Sequence, residues 1–404
     1  MTTAIENPTE KQPHQPESSS AERAGGRGKT GQSLKISCDR EQLLQAFQTV
    51  STVAPQRSPK PILQNVKLEV SAESAVLLAT DLEVGIRHQV SGVDIQLPGV
   101  VVLPVARFGS ILRESTDETI HLESDGQGTT IRGERSQFHL QAENPDDFPL
   151  VTPFEEQGFF EIPARLLQEL IRRTAFATDS ESSRYALGGV KLEFEEGHIT
   201  AIGTDGRRLA KMTGSIGTTG EPTVQNQTTI VPTRAMQLIE RAIGPNDAEV
   251  QLAIRGNEFL VHSSRATISA RMLEGRFPDW RKVFPEQGKG FQLELAVGAT
   301  HLAVRQAAIV TSEESRGVDF TFGEGMLVLS GRAAEVGQAR VELPISYDGD
   351  ELSITLDPRY LGDFLKVLDS EKTFCLEVKD AESAAVCSTD DGYGYVIMPL
   401  ARDR

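Results

Sequence analysis

Seven histidines, three cysteines and a band of arginines are the residues here whose chemistry could do work, and their spacing decides which work is open to them. The histidines (His14, His88, His121, His139, His198, His262 and His301) never pair at i, i+4, and none stands beside a glycine-framed serine. A histidine metal site or a nucleophilic triad therefore has no sequence support. Cys38, Cys375 and Cys387 lie far apart, with no second Cys or His at ligand spacing, which reads as free thiols in a reducing compartment. Gly25-Gly26-Arg27-Gly28-Lys29-Thr30 ends like a phosphate-binding loop, but that pattern needs a glycine where Arg23 stands and a strand ahead of it. Thr204-Asp205-Gly206-Arg207-Arg208-Leu209 could be an acid–base cluster; the simpler reading is a strand end, an Asp-Gly turn and a return strand. Tyr395-Val396-Ile397-Met398-Pro399-Leu400 reads as an apolar edge strand broken by proline. Exposed Met and Leu there would suit an adaptable groove for partner peptides.

For the arginines, placement matters more than number, because the net charge is −17 and phosphate binding needs cations. Apolar residues at three- and four-residue spacing predict helices over Arg40–Ser51, Pro104–Ser115, Pro163–Ala177, Pro232–Gly244, Ala299–Thr311 and Asp357–Asp369. Several open with Pro, where a missing N–H is harmless. These segments together carry +4 of the total of −17, so the remainder carries −21. Exposed basic positions are expected at Arg107, Arg113, Arg165, Arg172, Arg173, Arg234, Arg241, Arg305, Arg359 and Lys366. If the helices share one surface, it is basic on an otherwise acidic protein and attracts a polyanion locally.

The elements that must position these residues repeat. Val-Lys-Leu-Glu occurs at Val66–Glu69 and Val190–Glu193, and the Asp of a Thr-Asp pair follows each Val by fifteen residues, at Thr80-Asp81 and Thr204-Asp205. A fainter copy starts at Gly317-Val318-Asp319-Phe320. Each copy is flanked by two of the helical segments, and alternating strands such as Val66–Val70, Thr119–Leu122, Glu249–Ile254 and Phe320–Phe322 fill the rest. One unit of about 120 residues is therefore used three times. The expected class is α+β, with two helices packed on antiparallel sheets in each unit. Boundaries are expected near Pro153 and Pro285–Gly290, giving units at 34–153, 154–286 and 287–404 after a polar, disordered tail at 1–33. Phe148-Pro149 and Phe277-Pro278 read as linkers anchored by a buried aromatic. No apolar run approaches the roughly 18 residues of a membrane span, and no secretory signal opens the chain.

Several segments together resemble the bacterial DNA polymerase III β subunit, the sliding clamp. They are Lys60-Pro61-Ile62-Leu63, Asn144-Pro145-Asp146-Asp147-Phe148-Pro149, Arg184-Tyr185-Ala186-Leu187-Gly188-Gly189, Ala201–Leu209, Gly275–Val283 and Val396–Leu400. The similarity runs in register over about residues 34–402. It implies three tandem copies of the DNA-clamp fold, and a head-to-tail dimer forming a six-domain ring whose helices surround duplex DNA without reading its sequence. The ring would hold the replicative polymerase at high effective concentration. It would also serve a clamp loader, and repair polymerases, mismatch-repair proteins and ligase through short clamp-binding peptides. No catalysis, metal or cofactor is implied, and the setting is cytoplasmic.

The resemblance also implies site residues. A partner groove maps onto Arg184, Leu187, Thr204, Gly206, Arg207, Arg208, Leu209, Pro278, Val283, Asp357, Tyr360, Val396, Met398, Pro399 and Leu400. Leu187, Leu209, Val283, Val396 and Met398 would be its apolar floor and Tyr360 its gate. Arg207 stands where His is common, Asp357 where a neutral amide is common, and Ala401 where Arg is common. DNA contacts map onto Arg57, Ser182, Ser183, Tyr185 and Arg234, joined by the helix cations Arg107, Arg113, Arg172, Arg173, Arg241 and Arg305. The ring interface maps onto Ile111, Arg135, Phe138 and Leu140 of the first unit and Leu302, Glu335 and Glu342 of the third. An enzyme on the same scaffold would need a convergent titratable cluster, and an adhesive repeat protein would be secreted and would not keep its cations on helices.

Overall fold

Apolar–polar alternation and frequent Gly-containing turns drive the chain between its long helices into antiparallel strands, and each long helical pattern yields a helix on their faces. The computed structural model describes residues 33–179, 186–222, 229–285, 288, 290–312 and 315–401. The long helices are α1 (Arg40–Ser51), α2 (Val105–Glu114), α3 (Ala164–Thr174), α4 (Thr233–Ala242), α6 (Val297–Ala307) and α7 (Pro358–Lys366). A single-turn helix, α5 (Trp280–Val283), lies within the second linker, where the sequence pattern predicts none. Helix α6 starts two residues before the expected Ala299.

Helix starts follow local chemistry. Asp39 caps α1 by accepting from the Gln42 N–H at 2.9 Å, and Asp357 caps α7 by accepting from the Arg359 N–H at 3.0 Å, with Pro358 in the first turn. Each pair of helices packs its apolar stripes on the sheets. Phe47 of α1 meets Phe108 of α2 edge to face at 5.3 Å. A side chain at Gly109 would come within 2.7 Å of the Phe47 ring, so only glycine lets the two helices approach this closely.

Four sheets result, of five, nine, eight and four strands. The nine-stranded sheet joins the first unit to the second, with Val84–Val90 against Ala266–Arg271 and Ile86 opposite Ile268. The eight-stranded sheet joins the second to the third, with Arg208–Ser215 against Tyr393–Ile397 and Ala210 opposite Tyr395. The final strand is therefore no edge: Tyr393–Ile397 pairs on both sides, because the second unit supplies a neighbour. The five-stranded sheet leaves Gln137–Gln141 at its edge and the four-stranded sheet leaves Gly337–Pro344.

Alternation sorts each sheet into two faces. Ala210, Tyr395 and Ile397 enter the main core with the helices. Leu209 and Val396 point the other way, into a small cluster with Phe277 and Trp280 of the second linker. The first linker forms the matching cluster, Phe148 and Val151 on Leu78 and Val102. Both linker phenylalanines are buried, as their sequence setting implies. Among the described residues no helix is long and apolar enough to cross a membrane.

Candidate functional site

The seam between the second and third units gathers many of the groove residues, beginning with the hairpin turn at Thr204–Arg208. Thr204 Oγ1 donates to the Arg208 carbonyl at 2.6 Å and accepts from the Gly206 N–H at 3.1 Å. Asp205 Oδ1 accepts from the Arg207 and Arg208 N–H groups at 2.9 and 3.0 Å. Gly206 sits at φ 85°, a left-handed conformation that glycine adopts without strain. Thr80-Asp81 builds the same turn in the first unit, with Leu82 at φ 80° in glycine's place. The repeated Thr-Asp is thus turn chemistry, and each aspartate keeps its second oxygen for an arginine: Asp81 for Arg234, Asp205 for Arg208.

Arg208 is the rivet of this seam. Its guanidinium donates to Asp205 at 3.0 Å, to Asp363 of α7 at 2.6 Å and to the Phe176 carbonyl at 2.8 Å, and it stacks 4.6 Å over the Tyr360 ring. Burial works against its charge, but Tyr395, Asp363 and Asp205 more than offset this and raise its pKa. Arg208 therefore joins two units and has no free donor fork for a peptide, contrary to the sequence expectation. Thr204 is spent on its turn and buried. Asp357 is buried too, its carboxylate capping α7 and holding the Arg359 guanidinium at 2.7 Å. Leu209 and Val396, each 1% exposed, lie beneath the linker and do not floor an open surface.

What remains open is narrower. Val283 and Met398 are each 44% exposed. Around them stand exposed Gly206 and Arg207, half-buried Pro278, Tyr360, Pro399 and Leu400, and Leu187 almost covered. The Met398 N–H bonds the Arg207 carbonyl and the Leu400 N–H bonds the Thr355 carbonyl, both at 2.9 Å, which lays the terminal segment across the seam. Arg184 lies outside the described residues. Among the described residues the first seam offers no counterpart to this surface. Where Leu209 pairs with Thr204, Gly85 pairs with Thr80, and Val151 would come within 2.8 Å of any side chain there. Arg271 takes the place of Met398, its N–H bonding the Glu83 carbonyl.

The cations expected to meet DNA divide. Arg57, Arg107, Arg113, Arg172, Arg241 and Arg305 are exposed, with Arg172 3.2 Å from Glu169. Arg234 is half-exposed while paired with Asp81 across the first seam. Arg173 departs from expectation: its side chain is 8% exposed, 2.7 Å from Asp391 of the third unit and 3.1 Å from Glu169, over the Tyr393 ring. It is another rivet of the seam and cannot meet phosphate. Ser182, Ser183 and Tyr185 lie outside the described residues.

On or beside the Gln137–Gln141 and Gly337–Pro344 edges, Phe138 (41%) and Leu302 of α6 (57%) are exposed, as are Arg135, Glu335 and Glu342, and Leu140 is half-buried. Ile111 instead belongs to the core, on the inner face of α2. Val336, 57% exposed beside the Gly337–Pro344 edge, escapes sequence reasoning, because a lone Val in a polar turn gives no periodic signal. Among the described residues no group of His, Cys, Asp or Glu could hold a metal ion.

Three copies of a two-helix, multi-sheet unit, seamed strand to strand and belted by linkers, define a clamp-type protein. Family models agree, matching the N-terminal, central and C-terminal domains of the DNA polymerase III β subunit at residues 34–152, 161–279 and 281–401. The chain belongs to the DNA polymerase III β subunit family. A β sliding clamp of Chlamydia muridarum is 30% identical over 368 residues, covering 91% of this chain and 99% of the relative. The crystal structure of the Pseudomonas aeruginosa β subunit superposes with a TM-score of 0.83 at 28% identity, over 91% of this chain and 100% of the other. A P. aeruginosa clamp bound to griselimycin superposes with a TM-score of 0.82 at 28% identity, over 92% and 100%.

Proposed function

We propose that two copies of this chain close head to tail into a ring of six units that encircles duplex DNA and tethers the replicative polymerase to it. The observation that carries this reading is that, of the six strands of the seam-forming kinds, two stand at sheet edges without a seam partner. Both seams within the chain join equivalent strands, Ala266–Arg271 to Val84–Val90 and Tyr393–Ile397 to Arg208–Ser215. The strands left over, Gln137–Gln141 and Gly337–Pro344, are the equivalents of those two partners. A second copy supplies the missing pairing at each end. The register follows from the repeat. Lys67, Leu78 and Arg87 lie in line across three strands, as do Lys191, Ile202 and Lys211, and Asp319, Ser330 and Arg340. Arg87 faces Thr267 and Lys211 faces Gly394, so Gln137 faces Arg340 of the partner subunit, and Arg135 meets Glu342 of the partner subunit.

The ring is a non-catalytic, cytoplasmic subunit of the polymerase III holoenzyme, its units bounded at 34–153, 154–286 and 287–404. DNA passes the exposed arginines Arg57, Arg107, Arg113, Arg172, Arg241 and Arg305 through phosphate contacts alone, so the clamp slides. The surface between Val283, Met398, Leu400 and Arg207 takes short peptides of the polymerase, the clamp loader, repair polymerases, mismatch-repair proteins and ligase. The deciding experiment compares nicked circular with linear DNA. Loss from the linear form by sliding off its ends supports encirclement, and equal retention on both refutes it. The ring should also elute near twice the chain mass of 44.0 kDa. Met398→Ala with Leu400→Ala should abolish polymerase stimulation, weaken griselimycin binding and leave the dimer intact; undiminished stimulation would remove the groove assignment.

A further inference from the structure

Val-Lys-Leu-Glu stands in the first two units and not in the third, and the groove uses none of it. Its Lys and Glu alternate with buried Val and Leu, so they lie on the sheet face that the linkers cross. In the first unit Lys67 is 3.0 Å from Glu69, Glu69 holds Arg87 at 3.2 Å, and Arg87 donates to the Val151 carbonyl of the linker at 3.3 Å. In the second, Glu193 takes Lys191 at 2.7 Å, the Trp280 indole N–H at 3.1 Å and Arg281 at 2.9 Å. Lys211, in the register position of Arg87, stands over the Trp280 and Phe284 rings at 5.6 and 5.3 Å. Phe284 lies so close on Gly394 of the third unit that an added Cβ would be 2.5 Å from its ring. In the third unit Asp319 and Thr321 take the Lys and Glu places.

We infer that Glu193 is a latch for the second linker and a positioning residue for the groove. By tying Trp280 and Arg281 to the sheet it fixes Pro278 and Val283, the outer wall of the groove, before any partner arrives. This rests on the groove reading above. A wall already in place costs no ordering on binding, so the latch raises affinity without touching the ligand. Burial would raise the Glu193 pKa, but Lys191, Arg281 and Trp280 outweigh it and keep the carboxylate ionised.

Trp280 is the only tryptophan of the chain, so its emission reports the latch with no ligand present. In the full-length dimer, Glu193→Ala should shift that emission to longer wavelength and open the indole to acrylamide quenching. It should weaken griselimycin binding about five- to tenfold through lost preorganisation. Glu193→Gln, which keeps an acceptor for the indole, should fall between. Glu69→Ala, in the first latch, should leave both readouts at wild-type values. Unchanged emission in Glu193→Ala would overturn the inference, and so would a released Trp280 with griselimycin affinity within about twofold of wild type. The groove reading fails separately, by absent griselimycin binding in wild type or unchanged affinity in Met398→Ala. Either result removes the positioning role and leaves the emission test of the latch itself.

Discussion

Arg173, which looks like a surface cation in the sequence, and Arg208, which the resemblance assigns to the groove, are the electrostatic fastenings of the second seam. Periodicity does not reveal this, because a buried cation is stable only beside its anion, and Asp391 is 218 positions from Arg173. The legible residues, Phe148, Phe277 and the Thr-Asp turns, are those whose partners sit a few positions away or whose bulk alone demands burial. Arg173→Ala should lower stability by about 1–2 kcal/mol, since Asp391 keeps 40% of its surface in water. Arg172→Ala, exposed one position earlier, should stay within about 0.5 kcal/mol; thermal unfolding of both variants decides. The pH dependence has a definite sign. Burial would raise the Asp391 pKa, but Thr389 and Arg173 lower it overall. Its contribution is then complete above the ordinary carboxylate value of about 4 and lost as pH falls through the lowered one. The gap between wild type and Arg173→Ala should hold from neutrality to about pH 5 and shrink below about pH 4.

Elements are the most legible scale, and their misreadings share one cause. Helical stripes and strand alternation are local, so six helices and most strands can be placed from spacing alone. The last strand looks like an edge in the sequence because its neighbour, Arg208–Ser215, belongs to another unit. The linker helix α5 is too short for a period to emerge. The groove is legible as a location and blurred as a surface: Leu209, Val396, Thr204 and Asp357 share its sequence neighbourhood but face inward, and only strand parity in three dimensions tells the faces apart. At this scale the close seat of Phe284 on Gly394 is testable. Gly394→Val should force the ring off the seam and cost about 1–3 kcal/mol, seen as a lower thermal midpoint with a red-shifted Trp280 emission.

For the molecule as a whole, net charge misleads and its distribution informs. The total is −17, while Arg107, Arg113, Arg172, Arg241 and Arg305, left exposed once Arg173 is subtracted, lie on helices. The register derived for the missing pairing puts one charge pair at the ring interface to the test. Arg135→Glu should shift the dimer towards monomer in analytical ultracentrifugation, and Arg135→Glu with Glu342→Arg should restore it. A double variant no better than the single would mean that the strands meet in another register.

The belts change how such a ring would come apart. Each seam inside a chain is bound twice, by paired strands and by a latched span of covalent backbone, whereas the joint between copies has only the strands and their side chains. Two copies would thus behave as stiff crescents meeting at two identical gates on opposite sides of the bore. Prying one gate open would make the other a hinge, so a loading machine could admit DNA without straining any crescent.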